Sequence, residues 1–355
     1  MNKAALIGCG TNRHPCLRWI VIGRSGACIV LALFVCLGGA PLAAQVDNDR
    51  DHYQQQAGTI SPFINAPDVW YSSLYKDHPL VGRIWDNANT QYIHALELAD
   101  NLGAGRFVLL GEKHDNKDHH LLQSFVLQLL DKSNPPQAVS FEMLDSTAAD
   151  KLARLYSTNF TDSEALRDYL EWDVEGWDWE LYGRLVWQVY RKNIPVRAGN
   201  ISRAKMSEIY AGELPTEVAA VMHPEQQEKI TADIDESHCG MLPESQFPAM
   251  LRVQQARDAS LARSLLSTAQ DGEANRVTVL IAGTYHIRQD LGVPNYLLAF
   301  APQLNRSEIR TLAFMEVRPE EMNVAAYQEI TAGQPAYDYI WFTPAATDKD
   351  YCAEL

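Results

Sequence analysis

Residues 106–120, RFVLLGEKHDNKDHH, place one glutamate and three histidines within ten residues of the end of an apolar run. Glu112, His114, His119 and His120 supply a carboxylate and imidazoles, the usual set for ligating a metal ion or for moving a proton near neutral pH. Polar groups recur at three further points. Ala138 to Phe141 lead into Glu142, Ile194 to Ala198 lead through Gly199 to Asn200, and Val277 to Ala282 lead through Gly283 to His286. One such cluster is equally a polar surface turn, with Asp115, Asn116 or Asp118 capping the next helix. Four of them, each just past an apolar run, point to a shared pocket.

The four runs read as buried strands, because a continuous apolar stretch bounded by a breaker suits a sheet covered on both faces. After the first, Leu121, Leu122, Phe125, Val126, Leu129 and Leu130 recur at helical spacing. Residues 112–120 therefore occupy a strand-to-helix connection, which in an open parallel sheet lines the ligand crevice. Strand-like and helix-like stretches alternate onward, with late strands at Ile309–Val317 and Tyr337–Phe342. The fold class implied is α/β, a mainly parallel central sheet flanked by helices. Residues 146–190 and 223–266 are helical and long for simple crossovers, so they are expected to form a helical cap over the C-terminal ends of the strands.

The first of these segments crowds Trp172, Trp177, Trp179, Tyr182, Trp187 and Tyr190 together. They are either core anchors or part of the wall of a flat aromatic ligand site. In the second, Gln254, Arg257, Asp258 and Leu261 share a helix face, which is either a solvated stripe or turned toward the pocket. Arg203, three residues after Asn200, suits a ligand carboxylate bound in bidentate fashion. His238 adjoins Cys239, but neighbouring side chains on a helix diverge by about 100°, which argues against one ion bound by both. His238 is read as pocket-facing and Cys239 as structural. His119 and His120 alternatively only orient the helix start, and His114 lies nearest the strand end.

LLGEKHDNKDHH, SFEML, WDVEGWDWELYGRLVW, PVRAGNISR, HCGMLPE, MLRVQQARDASLA and IAGTYHIRQDLGVPNYL occur here in the order found in ChaN-like haem-binding proteins. The chain resembles that family from about Tyr92 to Phe300, and through Gly111-Glu112-Lys113-His114 a wider superfamily with the erythromycin esterases and the Tiki/TraB proteins. The resemblance implies haem held by a tyrosine with histidine assistance. Tyr182 and Tyr285 are the candidate ligands, since a phenolate is an established axial ligand of haem iron. His119, His120, Asn200, Arg203, His238, Arg257 and Asp258 are the expected surroundings. The family commonly has Asn-Gly where Thr284 and Tyr285 precede His286 here, so Tyr285 either alters ligand access or supplies a phenolate. Membership of the wider superfamily implies an alternative, a metal-dependent hydrolase in which Glu112, His114, Glu142 and His286 ligate a divalent ion or activate water. There is no Gly-x-Ser-x-Gly elbow, no paired CxxC zinc motif and no obvious covalent nucleophile after the leader, which argues against ordinary serine- and cysteine-hydrolase schemes and leaves a metal-water mechanism untouched. The favoured reading is a non-enzymatic haem-binding protein of bacterial iron acquisition.

Of the 355 residues the first 44 read as a secretory signal. Lys3, Arg13, Arg18 and Arg24 precede an apolar core from Ala27 to Leu37, and small residues follow to Ala44. Residues 45–56 read as a flexible polar lead-in, and 57–355 as the folded domain. Removing a leader with four Lys/Arg and no Asp/Glu takes the net charge from −15 to −19. So acidic a chain argues against nucleic acid as a partner, because phosphate contacts rely on clustered cations. The expected location is the periplasm or the outer membrane. Cys36 is a poor lipid-attachment site after Leu33-Phe34-Val35, although the family's members are often lipoproteins. Cys239 and Cys352 remain after the leader, and whether they bridge is open, as is a homodimer.

Overall fold

The computed structural model describes residues 70–269 and 276–353. The expected leader, the lead-in and Cys36 lie outside the described residues. Strands β1 (Ile84–Asp86) and β2 (Gln91–Ile93) come first, then β3 (Phe107–Glu112), β4 (Ala138–Asp145), β5 (Val196–Asn200), β6 (Thr278–Gly283) and β7 (Ile309–Glu316). A small hairpin, β8 (Ile330–Thr331) and β9 (Gln334–Pro335), precedes β10 (Tyr339–Thr343). Eight of these form one sheet in the order β2-β1-β10-β7-β3-β6-β4-β5. From β10 to β5 all neighbours are parallel, while β1 runs antiparallel to both β10 and β2. The chain is thus of the α/β class, with a mostly parallel central sheet and flanking helices.

Burial on both faces explains the apolar runs. Along β3, Val108 and Leu110 enter one core layer, with Phe141, Ile281 and Val186. Phe107 and Leu109 enter the other, with Leu280, Ala262 and Leu297. This is the two-residue alternation of a strand, and each such side chain contributes about 1.5–3 kcal/mol when fully buried. Helices Lys117–Ser133 and Trp179–Arg191 cover the first face, and Phe247–Ala269 and Val293–Phe300 the second.

Three details differ from the sequence reading. β3 does not stop at Gly111, which pairs with Ala282 and Ala313 and hands the strand on to Glu112. The glycine is needed for space, because a Cβ there would stand 2.6 Å from the Ile287 side chain and 2.9 Å from Thr284 Cα. The second cap segment breaks at residues 238–246, and its helix Phe247–Ala269 belongs to a flanking layer, with Ala259, Leu261, Ala262 and Leu265 buried against the sheet. The loop from Glu171 to Asp178 gives residues to the strand ends, and so does helix Phe247–Ala269 through Arg257. β1 and β2 have three residues each, too few for a periodicity to register. The bridge between Cys239 and Cys352 is formed, with Cα atoms 5.4 Å apart and 113 residues of sequence separation. Among the described residues no helix is long and apolar enough to cross a membrane.

Candidate functional site

The register of the sheet decides where the two glutamates point. Leu110, Ile281 and Phe141 stand abreast on β3, β6 and β4 and share one core layer. Glu112 lies two residues beyond Leu110 and so stays on that side. Glu142 lies one residue beyond Phe141 and turns to the opposite side. The pairing of β4 with β5 then slips, from Phe141 opposite Ala198 to Asp145 opposite Asn200. Such a bulge re-aims side chains at a sheet's rim.

On the first side the Tyr182 hydroxyl donates to Glu112 Oε1 at 2.6 Å, and His114 Nδ1 lies 3.0 Å from the same oxygen. His120 Nδ1 is 2.9 Å from Oε2. Burial alone would raise the Glu112 carboxyl, but the charge of His120 and the hydrogen bonds from His114 and His120 hold it at about 2. Both imidazoles are raised in turn: burial opposes their charge, and Glu112 outweighs it. Burial, reinforced by the Glu112 charge, pushes the Tyr182 phenol far above its ordinary value, so it keeps its proton.

On the second side Glu142 Oε2 accepts the Gly283 N–H at 2.7 Å, and Oε1 pairs with Arg257 and lies 3.4 Å from His286 Nε2. His286 Nδ1 is 2.6 Å from Asp258 Oδ1. Burial disfavours the imidazolium, yet Glu142 and Asp258 raise His286 to about 9. Burial would also lift Glu142, but His286 and Arg257 hold it well below the carboxylate range. Asp258 is raised by burial despite His286. Near neutral pH this side therefore holds an imidazolium and a guanidinium around an ionised Glu142.

Between and above these two networks lies a cleft of about 710 Å³, a size typical of small-ligand sites. Its walls include Trp177, Tyr285, Met143, Met206, Arg203 and His114. The His114 side chain is 44% exposed and packs edge-on against Trp177, with ring centroids 4.9 Å apart. Its Nδ1 is turned to Glu112 and Tyr182, which leaves Nε2 as the nitrogen without a partner among the described residues, lying over Gly283. A Cβ at 283 would stand 2.9 Å from Nε2 and Cε1. Gly283→Ala is therefore expected to swing the His114 ring aside while changing stability by less than about 1 kcal/mol, since a partly exposed ring can give way. A crystal structure of the variant with the ring unmoved would contradict this.

The structure brings Glu112, His114, Glu142, Asn200, Arg203, Arg257, Tyr285 and His286 to this cleft. Asp258 sits directly behind His286. Four expected residues do not line it. His119 is fully buried, takes the Lys113 N–H at 2.8 Å and lies 2.9 Å from Thr343 Oγ1; burial lowers it to about 3, so it is a neutral tie between β3 and β10. His120 lies behind Glu112. Tyr182 is 1% exposed with its hydroxyl engaged, because the helical periodicity that places it near Glu112 also turns it into the core. His238 contacts the Ile234 carbonyl at the end of helix Pro224–Ser237. Tyr285 does line the cleft, but its hydroxyl donates to Asp233 at 2.9 Å, and burial together with Asp233 keeps the phenol protonated. Of the crowded tryptophans only Trp177 faces the cleft; Trp172 and Trp179 are buried core.

This geometry does not support the expected single metal site. Among the described residues no group of three or more His, Cys, Asp and Glu is arranged to hold an ion. Glu112 is taken up by His114, His120 and Tyr182, and Arg257 and His286 already neutralise Glu142. Sequence reasoning missed Lys113, Asp173 and Gly283 as cleft residues. The Asp-x-x-Gly spacing of Asp173 and Gly176, a turn signal between buried tryptophans, was the available clue to the loop.

The family model described as haem-binding uptake, Tiki superfamily, ChaN matches residues 98–297. A solved structure described as cofacial haem binding to ChaN of Campylobacter jejuni is 23% identical, covers 73% of this chain and 95% of its own, and superposes with a TM-score of 0.59. A mutant erythromycin esterase in its open conformation is 14% identical, covers 80% of this chain and 99% of its own, and has a TM-score of 0.43. No curated protein matches the sequence.

Proposed function

Because the chain belongs to the ChaN family of haem-binding uptake proteins in the Tiki superfamily, we propose that its cleft binds haem and that the protein serves bacterial iron or haem acquisition without chemical turnover. One observation carries the reading: a cleft of about 710 Å³ with aromatic and thioether walls, rimmed by cations, opens onto an imidazole whose inner nitrogen is fixed. A planar macrocycle with carboxylate arms needs such apolar surface, cations and one donor for iron. Trp177, Tyr285, Met143 and Met206 suit the macrocycle. His114 suits the iron, because a carboxylate on one ring nitrogen orients the other toward a metal. Tyr182 and Tyr285 hold their phenolic protons on neighbouring carboxylates and suit it less. Bound haem would supply a ferric iron, which His114 would be the residue to hold.

Export through the basic leader, residence in the periplasm or on the outer membrane, and a homodimeric state belong to the same proposal. The test is a haemin titration of the mature chain followed by visible absorbance. A saturable band shift at about one haem or fewer per chain supports the reading. No shift, with metal-dependent hydrolysis of ester or peptide substrates instead, would replace it by the hydrolase alternative. N-terminal sequencing of the exported chain tests the leader, and an intact Met1 chain in the cytoplasm would count against export.

A further inference from the structure

Three permanent cations line the cleft: Lys113, Arg203 and Arg257. Two are committed within the protein. Lys113 Nζ lies 3.0 Å from Glu316 Oε2 and 3.5 Å from Asp115 Oδ1. Arg257 pairs with buried Glu142 and reaches Asn200 Oδ1 at 3.4 Å. Arg203 differs. It stands at the first position of helix Arg203–Ala211, its side chain is 80% exposed, and among the described residues that side chain makes one polar contact, Nη2 to Asp173 Oδ2 at 3.1 Å. A guanidinium carries five N–H donors in a fixed fork matched to a carboxylate. Asp173 comes from the loop between Glu171 and Asp178, where its other oxygen accepts the Gly176 N–H at 3.2 Å. Both residues line the cleft, so their contact lies at its wall.

We propose that Arg203 is the residue through which the cleft recognises a free carboxylate of its ligand, and that Asp173 is a built-in competitor which that carboxylate displaces. The proposal rests on the haem reading, since haem carries two propionate carboxylates. An exposed pair such as Arg203–Asp173 is weak and exchanges readily. An incoming carboxylate that takes the guanidinium in bidentate fashion exchanges one contact for two, and leaves Asp173 to water and the Gly176 N–H. The cleft then favours carboxylate-bearing ligands over their esters, and its affinity is set partly by how well Asp173 competes.

The test compares haemin with haemin dimethyl ester, titrated by visible absorbance into the wild-type chain and three variants. Arg203→Ala is expected to lose about tenfold in haemin affinity and nothing for the ester, as for a charge-assisted bidentate contact. Arg203→Lys should recover part of the loss, keeping the charge without the fork. Asp173→Asn should tighten haemin a few-fold and leave the ester unchanged. Equal losses for haemin and ester in Arg203→Ala would mean that the side chain only packs, and no loss would mean that another group holds the carboxylate; either overturns the proposal. A wild-type chain that binds haemin and ester equally removes this proposal alone, whereas one that binds neither removes the haem reading and this proposal together.

Discussion

Replacing His114 by alanine is expected to weaken haemin binding by a hundredfold or more and to alter the visible spectrum of whatever haem remains bound. Nδ1 of His114 is held 3.0 Å from an ionised, fully buried Glu112, so the ring presents Nε2 in one orientation and one tautomer. Removing a ligand acts directly on the iron. Removing the carboxylate behind it acts through orientation and basicity, so Glu112→Gln should cost about 10–100-fold, the range found for outer-shell partners of metal-bound histidines. The His114 side chain is partly exposed, so its loss should leave the thermal midpoint nearly unchanged and separate binding from folding. Tyr285→Phe is the companion measurement. Its phenol stays protonated on Asp233, and its removal should leave the spectrum essentially as in the wild type. If Tyr285→Phe abolishes a phenolate-to-iron band and His114→Ala does not, the ligand assignment is wrong.

Glu142→Gln should destabilise the fold by about 3 kcal/mol at pH 7, although it is isosteric and the side chain is buried. The substitution leaves Arg257 and protonated His286 beside a neutral amide, and breaking a buried ion pair from one side costs about 3–5 kcal/mol. The pH dependence identifies the cause. His286 has a raised folded-state value, about 9, so its stabilising contribution is fully present below its unfolded value near 6.5 and is lost as pH rises through 9. The wild type should lose roughly 3 kcal/mol over that window. Glu142 has a depressed value, so its contribution is present above about 4.5 and is lost in acid. Chemical denaturation at pH 7 and at pH 9.5 should find the two proteins closer in stability at the higher pH. A constant gap would show that the amide disturbs packing and not charge.

Much of this arrangement was legible from residue order. The four polar groups past apolar runs, Glu112, Glu142, Asn200 and His286, do meet at the C-terminal ends of parallel strands, because buried strands and their boundaries leave a strong local signal. What was not legible depends on relations between strands. The same Glu and His residues look like one ligand set until the contacts show each glutamate taken by its own partners, Glu112 by His114, His120 and Tyr182 and Glu142 by Arg257 and His286. Tyr182 looked like a ligand because it stands in the crowded aromatic segment and the resemblance implies a tyrosine, yet its position on helix Trp179–Arg191 turns it inward. His238 borrowed its interest from Cys239, whose partner at Cys352 is 113 residues away and invisible to any local pattern.

That bridge divides the site into two kinds of chain. Glu112, His114, Glu142 and Arg203 lie on linear sequence before Cys239, while Arg257, Asp258 and His286 lie inside the loop that the disulfide closes. Loops bearing Met322 and Ile330, both well exposed, are also inside it. A single cut by a protease in those loops therefore releases no fragment: the C-terminal piece stays joined through sulfur, and Arg257 and His286 remain joined by peptide bonds to the segment that carries Glu142. Such a nicked protein should migrate as one species without reductant and as two with it, and should keep its ligand in the first state.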